Sequence, residues 1–175
     1  MFAGICKWLL VVIILLTLTF ISFSFAKEAI FSHVIDGDTI HVVINGKEEK
    51  VRILFIDTPE KYSGAKLEKD AKKAGISAKA EQELGKLSTG YAMNFFHQSD
   101  NIVINSNKKD KYGRMLGAVS KNGVDYSTQI IKDGYSCIYK KADYPKELDI
   151  VMQNAKNQKI GLWGIDYDTM SKLCK

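Results

Sequence analysis

Histidine and cysteine are scarce in this sequence, with three of each among 175 residues. None of them shows the paired spacing by which zinc ligands are recognised in a sequence. The absence of such a cluster argues against zinc as a bound metal. If the protein binds a metal ion, the hard divalent cations calcium and magnesium, which bind through oxygen atoms, are therefore favoured.

The sequence also lacks internal repeats and low-complexity segments. A repeat architecture is therefore excluded. A length of 175 residues favours a single domain, which is large enough to bury a hydrophobic core without stabilising disulfides or metal ions.

A long run without charged residues occurs at the N-terminus. Residues 8–25 contain nothing more polar than serine or threonine, and Ser24 and Ala26 are the small residues that a signal peptidase needs. This pattern predicts a signal peptide over residues 1–26, cleaved after Ala26. The alternative is an uncleaved membrane anchor, since eighteen such residues reach the lower limit for spanning a bilayer. In both cases residues 27–175 are expected outside the cytoplasm, secreted or periplasmic.

The chain is basic, with a formal net charge of +5. Without residues 1–26 it keeps 24 of its 25 basic residues and all 20 acidic ones, so the remaining domain carries +4. An excess of lysine and arginine attracts polyanions and speeds encounter with nucleic acid. Many secreted proteins carry a similar charge, so composition alone does not select nucleic acid as the partner.

Two cysteines, Cys137 and Cys174, remain after removal of the signal peptide. An oxidising compartment would allow them to form a disulfide. A free, buried Cys137 in a strand with a loose Cys174 at the C-terminus is the alternative. The sequence does not choose between the two.

The chain is organised around residues 34–60, where two strand-like runs end in carboxylates. Residues 39–44 alternate in polarity, Asn45-Gly46 fits a tight type I′ turn, and a second β-rich run covers residues 51–56. This pattern predicts a hairpin with acidic residues at its open end. They are Asp36, Asp38, Asp57 and Glu60.

The rest of the chain alternates short strands with helices. Further strands are predicted over residues 29–35, 101–105, 114–119 and 135–139. Helices are predicted over residues 86–98, over residues 124–133 and from Pro145 to about Lys159. Residues 61–85, rich in lysine, alanine and glutamate, are predicted to be a surface insertion with one or two short helices broken at Gly75. Together these elements predict an α+β fold, a small, partly closed β-barrel with about three helices packed on it.

The acidic residues suit a metal ion. Asp38, Asp57 and Glu60 would repel one another if folding brought them together, and a divalent cation bound through oxygens is the usual resolution. Asp-Gly-Asp and Asp-Thr-Pro are also ordinary turn sequences, so the acids by themselves leave both explanations open.

Two arginines strengthen the case for a catalytic site. Arg52 lies in an apolar strand, where a guanidinium is costly unless an anion meets it, and Arg114 follows an exposed, charged turn over residues 107–112. Two arginines and a cation around a phosphodiester would stabilise the charge of its five-coordinate state and position a water. For each arginine, a structural ion pair with one of the acids is the alternative.

Taken together, these motifs resemble the staphylococcal nuclease (thermonuclease) family of secreted, calcium-dependent nucleases. The resemblance rests on VIDGDT at 34–39, RILFIDTPE at 52–60, DKYGR at 110–114 and GLW at 161–163. The motifs are in the family's order and span roughly residues 30–165. The resemblance implies a five-stranded OB-type barrel with three helices. It also implies hydrolysis of DNA and RNA with little sequence preference, leaving 3′-phosphate ends.

The resemblance assigns roles near the reacting phosphate. It implies that Ca²⁺ is bound by Asp38, Asp57 and the backbone carbonyl of Thr58. Glu60 would act on the attacking water, as a general base or by orienting it. Arg52 and Arg114 would contact the scissile phosphate. These roles make the chain a phosphodiesterase that acts as a monomer, with no stable protein partner implied.

Further roles concern the residues around this centre. The resemblance implies that Lys111 and Tyr112 meet a neighbouring phosphate and that Tyr139 lies beneath a base, whereas amphipathic packing is the alternative for both tyrosines. Asp36 either supports the metal ligands or caps the turn. Trp163 is expected in the core. The 61–85 insertion and the cysteines depart from the family pattern, and neither cysteine is expected to touch the catalytic residues.

A catalytically inactive module that binds nucleic acid or protein is the alternative function, because the same barrel serves as a binding scaffold in relatives without the acids and arginines. The joint presence of all five catalytic and metal-binding side chains favours the enzyme. A membrane-tethered form of the enzyme follows if the N-terminal segment is retained.

Overall fold

The structure is a computed structural model that describes residues 26–175. Apart from Ala26, which begins the first strand, the predicted signal peptide or anchor lies outside the described residues. Within residues 26–175, no helix has both the length and the apolar character needed to cross a membrane.

Five of the strands close into a barrel. The strands are β1 Ala26–Asp36, β2 Thr39–Ile44, β3 Lys47–Ile53, β4 Ile56–Asp57, β5 Asn101–Lys109, β6 Met115–Lys121, β7 Val124–Asp125 and β8 Cys137–Ile138. β1, β2 and β3 form an antiparallel meander, β5 pairs with β1 and β6, and a parallel pairing of β3 with β6 closes the barrel. This topology confirms the predicted α+β fold with an OB-type barrel.

Helices pack around the barrel and at the C-terminus. They are α1 Ala65–Ala74, α2 Ala78–Phe95, α3 Tyr126–Lys132, α4 Glu147–Asn157, α5 Leu162–Ile165 and α6 Tyr167–Leu173. The three predicted helices correspond to α2, α3 and α4, although α2 begins earlier than predicted, at Ala78. The short helices α5 and α6 extend the fold beyond the prediction.

The barrel interior follows the alternation of the strands. In β5, Ile102 and Ile104 point inward and are buried, while Val103 between them is exposed. They pack with inward residues of β2 and β3, such as Ile40, Val42 and Val51. At the hairpin turn, Asn45 and Gly46 have φ values of 51° and 75°, as the predicted type I′ turn requires.

The prediction of one continuous strand over residues 51–56 is wrong, because the strand is interrupted after Ile53. Phe55 adopts a left-handed conformation with φ 69°, so β3 ends at Ile53 and the chain leaves the barrel. The segment then forms β4, which pairs with β8 so that Asp57 lies opposite Cys137. The break therefore moves Asp57 out of the barrel and onto a separate two-stranded ribbon.

The prediction that residues 61–85 stay outside the core also needs correction. This segment contains α1 and the first turns of α2, and two of its large side chains are buried, Leu67 and Leu84 each 3% exposed. Leu67 and Ala71 are one helical turn apart, so they form a single apolar face among the lysines. The predicted break at Gly75 is confirmed, since this residue ends α1 in a left-handed conformation.

Cys137 and Cys174 form a disulfide, which decides the question that the sequence left open. The bond ties the end of α6 to β8 within a second apolar cluster that includes the buried Trp163, as expected for this tryptophan. Because Cys137 lies opposite Asp57 in the β4–β8 pair, the expectation that the cysteines stay apart from the catalytic residues is wrong.

The disulfide should contribute measurably to stability. Replacing Cys174 by serine is expected to lower the free energy of unfolding by about 3–4 kcal/mol, because the unfolded chain regains the freedom of a loop of 37 residues. Chemical denaturation of the oxidised protein measures the loss. Reductant should produce a similar loss in the parent protein and none in Cys174→Ser. A parent protein insensitive to reductant would contradict the pairing.

Candidate active site

One cavity of about 460 Å³ is lined by all the residues predicted to act in catalysis, substrate binding or metal binding. They are Asp38, Arg52, Asp57, Thr58, Glu60, Lys111, Tyr112, Arg114 and Tyr139. They come from the β1–β2 turn, the end of β3, β4 and the segment after it, the β5–β6 turn, and the residue after β8. The predicted convergence is observed, while the chemical role of each residue stays a prediction.

Arg52 joins two of the acids. Its Nη2 atom lies 3.1 Å from Asp38 Oδ2 and 3.3 Å from Asp57 Oδ1. The guanidinium also donates from Nη1 to the carbonyl oxygen of Ile53, at 3.0 Å. Arg52 therefore forms the ion pairs expected if its role is structural. It also lines the cavity, as expected if it contacts a substrate.

Asp38 is the best-supported carboxylate of the site. It accepts hydrogen bonds from the Thr39 hydroxyl at 2.9 Å and from both the backbone N–H and the hydroxyl of Thr58 at 3.2 Å. Burial opposes ionisation, but the Arg52 guanidinium and the Thr58 N–H outweigh it, so the pKa of Asp38 is held below its usual value. The group is ionised at neutral pH.

The neighbouring acids are ionised with difficulty. Burial, followed by the charge of Asp38, raises the pKa of Asp57 against the opposing effect of Arg52. The same two causes raise the pKa of Asp36 to about 7. Asp36 Oδ1 also accepts the backbone N–H of Asp38 at 3.1 Å, which supports the turn-capping explanation for this residue.

These acids have the chemistry of a hard-cation site. Close carboxylates that resist ionising together are stabilised by a divalent ion, and oxygen donors are those that calcium and magnesium prefer. Among the described residues, no group of three or more histidine, cysteine, aspartate or glutamate side chains is arranged to hold a metal. The predicted ligand set, Asp38 and Asp57 with the backbone carbonyl of Thr58, therefore stays a prediction, and all three residues line the cavity.

Glu60 is held by two residues that the sequence analysis did not single out. Lys66 Nζ lies 2.7 Å from Glu60 Oε2, and Glu81 Oε1 accepts the backbone N–H of Glu60 at 3.4 Å. Both come from the lysine- and glutamate-rich segment that was predicted to be solvated. No sequence signal separates these two residues from their charged neighbours, because only the packing of α1 and α2 reveals which of them face Glu60.

Arg114 is oriented by the turn that precedes it. Its Nε atom donates to Asp110 Oδ2 at 2.7 Å, and Asp110 Oδ1 accepts the backbone N–H groups of Tyr112 and Arg114 at 2.9 and 3.0 Å. Arg114 is therefore paired with Asp110 and not with the acids around Arg52. The carboxylate closes the turn and holds the arginine against the cavity.

The two tyrosines of the cavity are accessible. Tyr112 is 72% exposed and Tyr139 is 36% exposed, so neither is a core residue. Each ring lies near an arginine, with Arg114 Cζ 5.6 Å from the Tyr112 ring centre and Arg52 Cζ 5.9 Å from that of Tyr139. Exposed aromatic rings beside guanidinium groups are suited to contact with nucleotides.

Fold and site together define an α+β protein with an OB-type barrel and a cavity that combines arginines, clustered acids and exposed aromatic rings. A family model described as staphylococcal nuclease homologue matches residues 50–164. The chain belongs to this family, as its motifs predicted, and is a nuclease of the hydrolase class.

Several proteins are similar to the chain along most of its length. An uncharacterized endonuclease of Escherichia coli O157:H7 is 28% identical over 131 residues, covering 74% of this chain and 72% of the relative. A micrococcal nuclease of Shigella flexneri is 29% identical, with 74% and 70% covered. The endonuclease YncB of Bacillus subtilis is 31% identical, with 74% and 58% covered. These relatives favour the enzyme over the inactive binding module.

The two arginines should differ in their effect on stability. Arg52→Met is expected to lower the free energy of unfolding by about 3 kcal/mol, because it leaves the buried Asp38 carboxylate without its counter-charge. Arg114→Met is the matched control and should cost about 1 kcal/mol, since Asp110 keeps its two backbone donors. Denaturant unfolding with chelator present measures both, and equal losses would contradict the assignment.

Proposed function

We propose that the chain is an exported, calcium-dependent nuclease that hydrolyses phosphodiester bonds of DNA and RNA with low sequence specificity and leaves 3′-phosphate ends. The observation that carries the proposal is the gathering of Asp38, Arg52, Asp57, Glu60 and Arg114 in one cavity. Family membership supports it.

Recognition through the backbone of the nucleic acid supports low specificity. The basic side chains of the cavity can meet phosphate oxygens, and phosphate contacts carry no base information. Tyr112 and Tyr139 offer exposed rings, on which any base can stack. A site built in this way accepts either sugar and any sequence.

The residues of the cavity have separate roles in the proposed hydrolysis. Held by Asp38, Asp57 and the Thr58 carbonyl, calcium would supply Lewis acidity at a phosphate oxygen. Glu60 orients the attacking water or takes its proton. Arg52 and Arg114 hold the charge that develops on the phosphate oxygens. Among the described residues, Arg114 is bonded to Asp110 through Nε alone, so its terminal nitrogens are available to the phosphate.

Export rests on two observations. Residues 1–26 have the pattern of a signal peptide. The Cys137–Cys174 disulfide is of the kind that persists in oxidising compartments. Retention of the N-terminal segment would give the same enzyme tethered to a membrane, with its domain outside the cytoplasm.

Metal dependence can be tested directly. The 27–175 fragment is expected to digest single- and double-stranded DNA and RNA with calcium, and to lose this activity with chelator, because Asp38 and Asp57 then lack the cation that their charges require. Magnesium is the comparison for ions that bind without supporting the reaction. End-group analysis should find 3′-phosphates and 5′-hydroxyls. Undiminished digestion in chelator would overturn calcium dependence.

Glu60 can be tested separately from binding. Glu60→Gln is expected to lower kcat by about 10²–10⁴-fold, since the amide cannot accept a proton from water. Binding of a nucleotide, measured by calorimetry with calcium, should stay near the parent value because the arginines and metal ligands are unchanged. Near-normal hydrolysis by this variant would remove Glu60 from its assigned role.

A further inference from the structure

We propose that α1 and α2 form a positioning scaffold for Glu60, in which Lys66 orients its carboxylate and Glu81 holds its backbone. The inference rests on the role proposed for Glu60 in hydrolysis. It gives a function to the segment over residues 61–85, which follows Glu60 directly in the chain. Lys66 and Glu81 are positioning residues, since they act on the substrate only through Glu60.

The backbone of Glu60 is anchored by a buried carboxyl group. Glu81 is 2% exposed, and its Oε1 atom accepts the Glu60 N–H at 3.4 Å. Its Oε2 atom is buried and, among the described residues, has no hydrogen-bond partner. Burial raises the pKa of Glu81 to about 7 against the effect of the Glu60 N–H. A half-satisfied carboxyl is unfavourable in a core, so its presence needs a reason other than stability.

A glycine lets α2 approach the next peptide group, between Glu60 and Lys61, closely. A Cβ atom at Gly85 would lie 2.5 Å from the carbonyl carbon of Glu60 and 2.6 Å from the nitrogen of Lys61. Only a glycine allows the helix backbone to pack this tightly against the chain. One turn earlier, Gln82 Nε2 donates to the Lys61 carbonyl oxygen at 3.1 Å. The two peptide groups that follow Glu60 are therefore both held against α2.

The side chain of Glu60 is anchored from α1. Lys66 Nζ lies 2.7 Å from Glu60 Oε2 and 3.4 Å from Asp70 Oδ2. Burial opposes protonation of Lys66, but its contact with Glu60 outweighs burial and raises the pKa of the ammonium, so Lys66 is charged at neutral pH. Lys66 engages one oxygen of Glu60, and among residues 26–175 the other oxygen has no hydrogen-bond partner, so it can accept a hydrogen bond from water.

This arrangement should affect rate more than binding. A displacement of about 1 Å in a catalytic group can cost up to about 100-fold in rate. Lys66 and Glu81 form no hydrogen bond or ion pair with Asp38 or Asp57 among the contacts of the described residues. Loss of either residue should therefore misplace Glu60 and leave the predicted metal ligands where they are.

The first test uses single variants assayed on single-stranded DNA with calcium. Lys66→Met and Glu81→Leu are each expected to lower kcat by about tenfold or more, with KM changed by less than about twofold. Lys66→Arg and Glu81→Gln should restore most of the rate, since they keep the cation and the acceptor oxygen. Asp70→Asn is the matched control and should keep the parent kcat, because it leaves the Lys66–Glu60 contact in place.

The second test repeats both variants in a Glu60→Gln background. If the scaffold acts through Glu60, neither substitution should reduce the residual rate further. The same fold-loss in both backgrounds would overturn the inference, and so would an unchanged kcat in the single variants or an effect confined to KM. Lys66 is 64% exposed, so Lys66→Met decides the question even if Glu81→Leu does not fold.

The two proposals can fail separately. If Glu60→Gln alone keeps normal turnover, the role assigned to Glu60 is wrong, and the positioning role of α1 and α2 is overturned with it. If Glu60→Gln is inactive while Lys66→Met and Glu81→Leu keep the parent kcat, the proposed function stands and the scaffold is overturned.

Discussion

The site depends on one arginine that holds two acids together. Asp38 precedes β2 and Asp57 lies in β4, so nothing in the chain itself makes them neighbours. The β2–β3 register places Arg52 opposite Thr39, directly beside Asp38, and the same guanidinium nitrogen reaches Asp57. A buried carboxylate needs a counter-charge, so this contact links the barrel to the segment that leaves it. Hairpin register and electrostatics thus fix the site together.

The break at Phe55 separates β4, which carries Asp57, from the barrel. Had the strand continued, the alternation of side chains along β3 would set the direction of Asp57. Instead β4 pairs with β8, and Ser136 Oγ donates to the Asp57 carbonyl oxygen at 3.3 Å. The disulfide at Cys137 ties this ribbon to the C-terminal helix. Elements distant in sequence from Asp57 therefore support its position.

Sequence patterns predicted the features that depend on neighbouring residues in the chain. Alternation and Asn45-Gly46 predicted the hairpin, and the family resemblance that the motifs carry predicted which side chains meet in the cavity. The left-handed Phe55 has no local signature, since the run around it reads as an unbroken strand. Glu81 resembles any helix-surface glutamate until α2 packs on the chain after Glu60. The disulfide stayed undecided because pairing depends on tertiary proximity, which spacing does not reveal.

Charge acts at two distances in this protein. The chain as a whole is positive, at +5, which favours the approach of a polyanion over the range of the Debye length. Among the described residues of the cavity, Asp38, Asp57 and Glu60 form ion pairs with Arg52 and Lys66, so these three acids outnumber their two partners. Lys108, Lys111 and Arg114 line the same cavity. At close range the three acids repel a phosphodiester that the basic side chains attract, and the proposed cation would neutralise them. The raised pKa of Asp57 reflects the same excess, since the charge of Asp38 adds to burial in opposing its ionisation. The proposed metal and the substrate would therefore be linked through the carboxylates that Arg52 holds together.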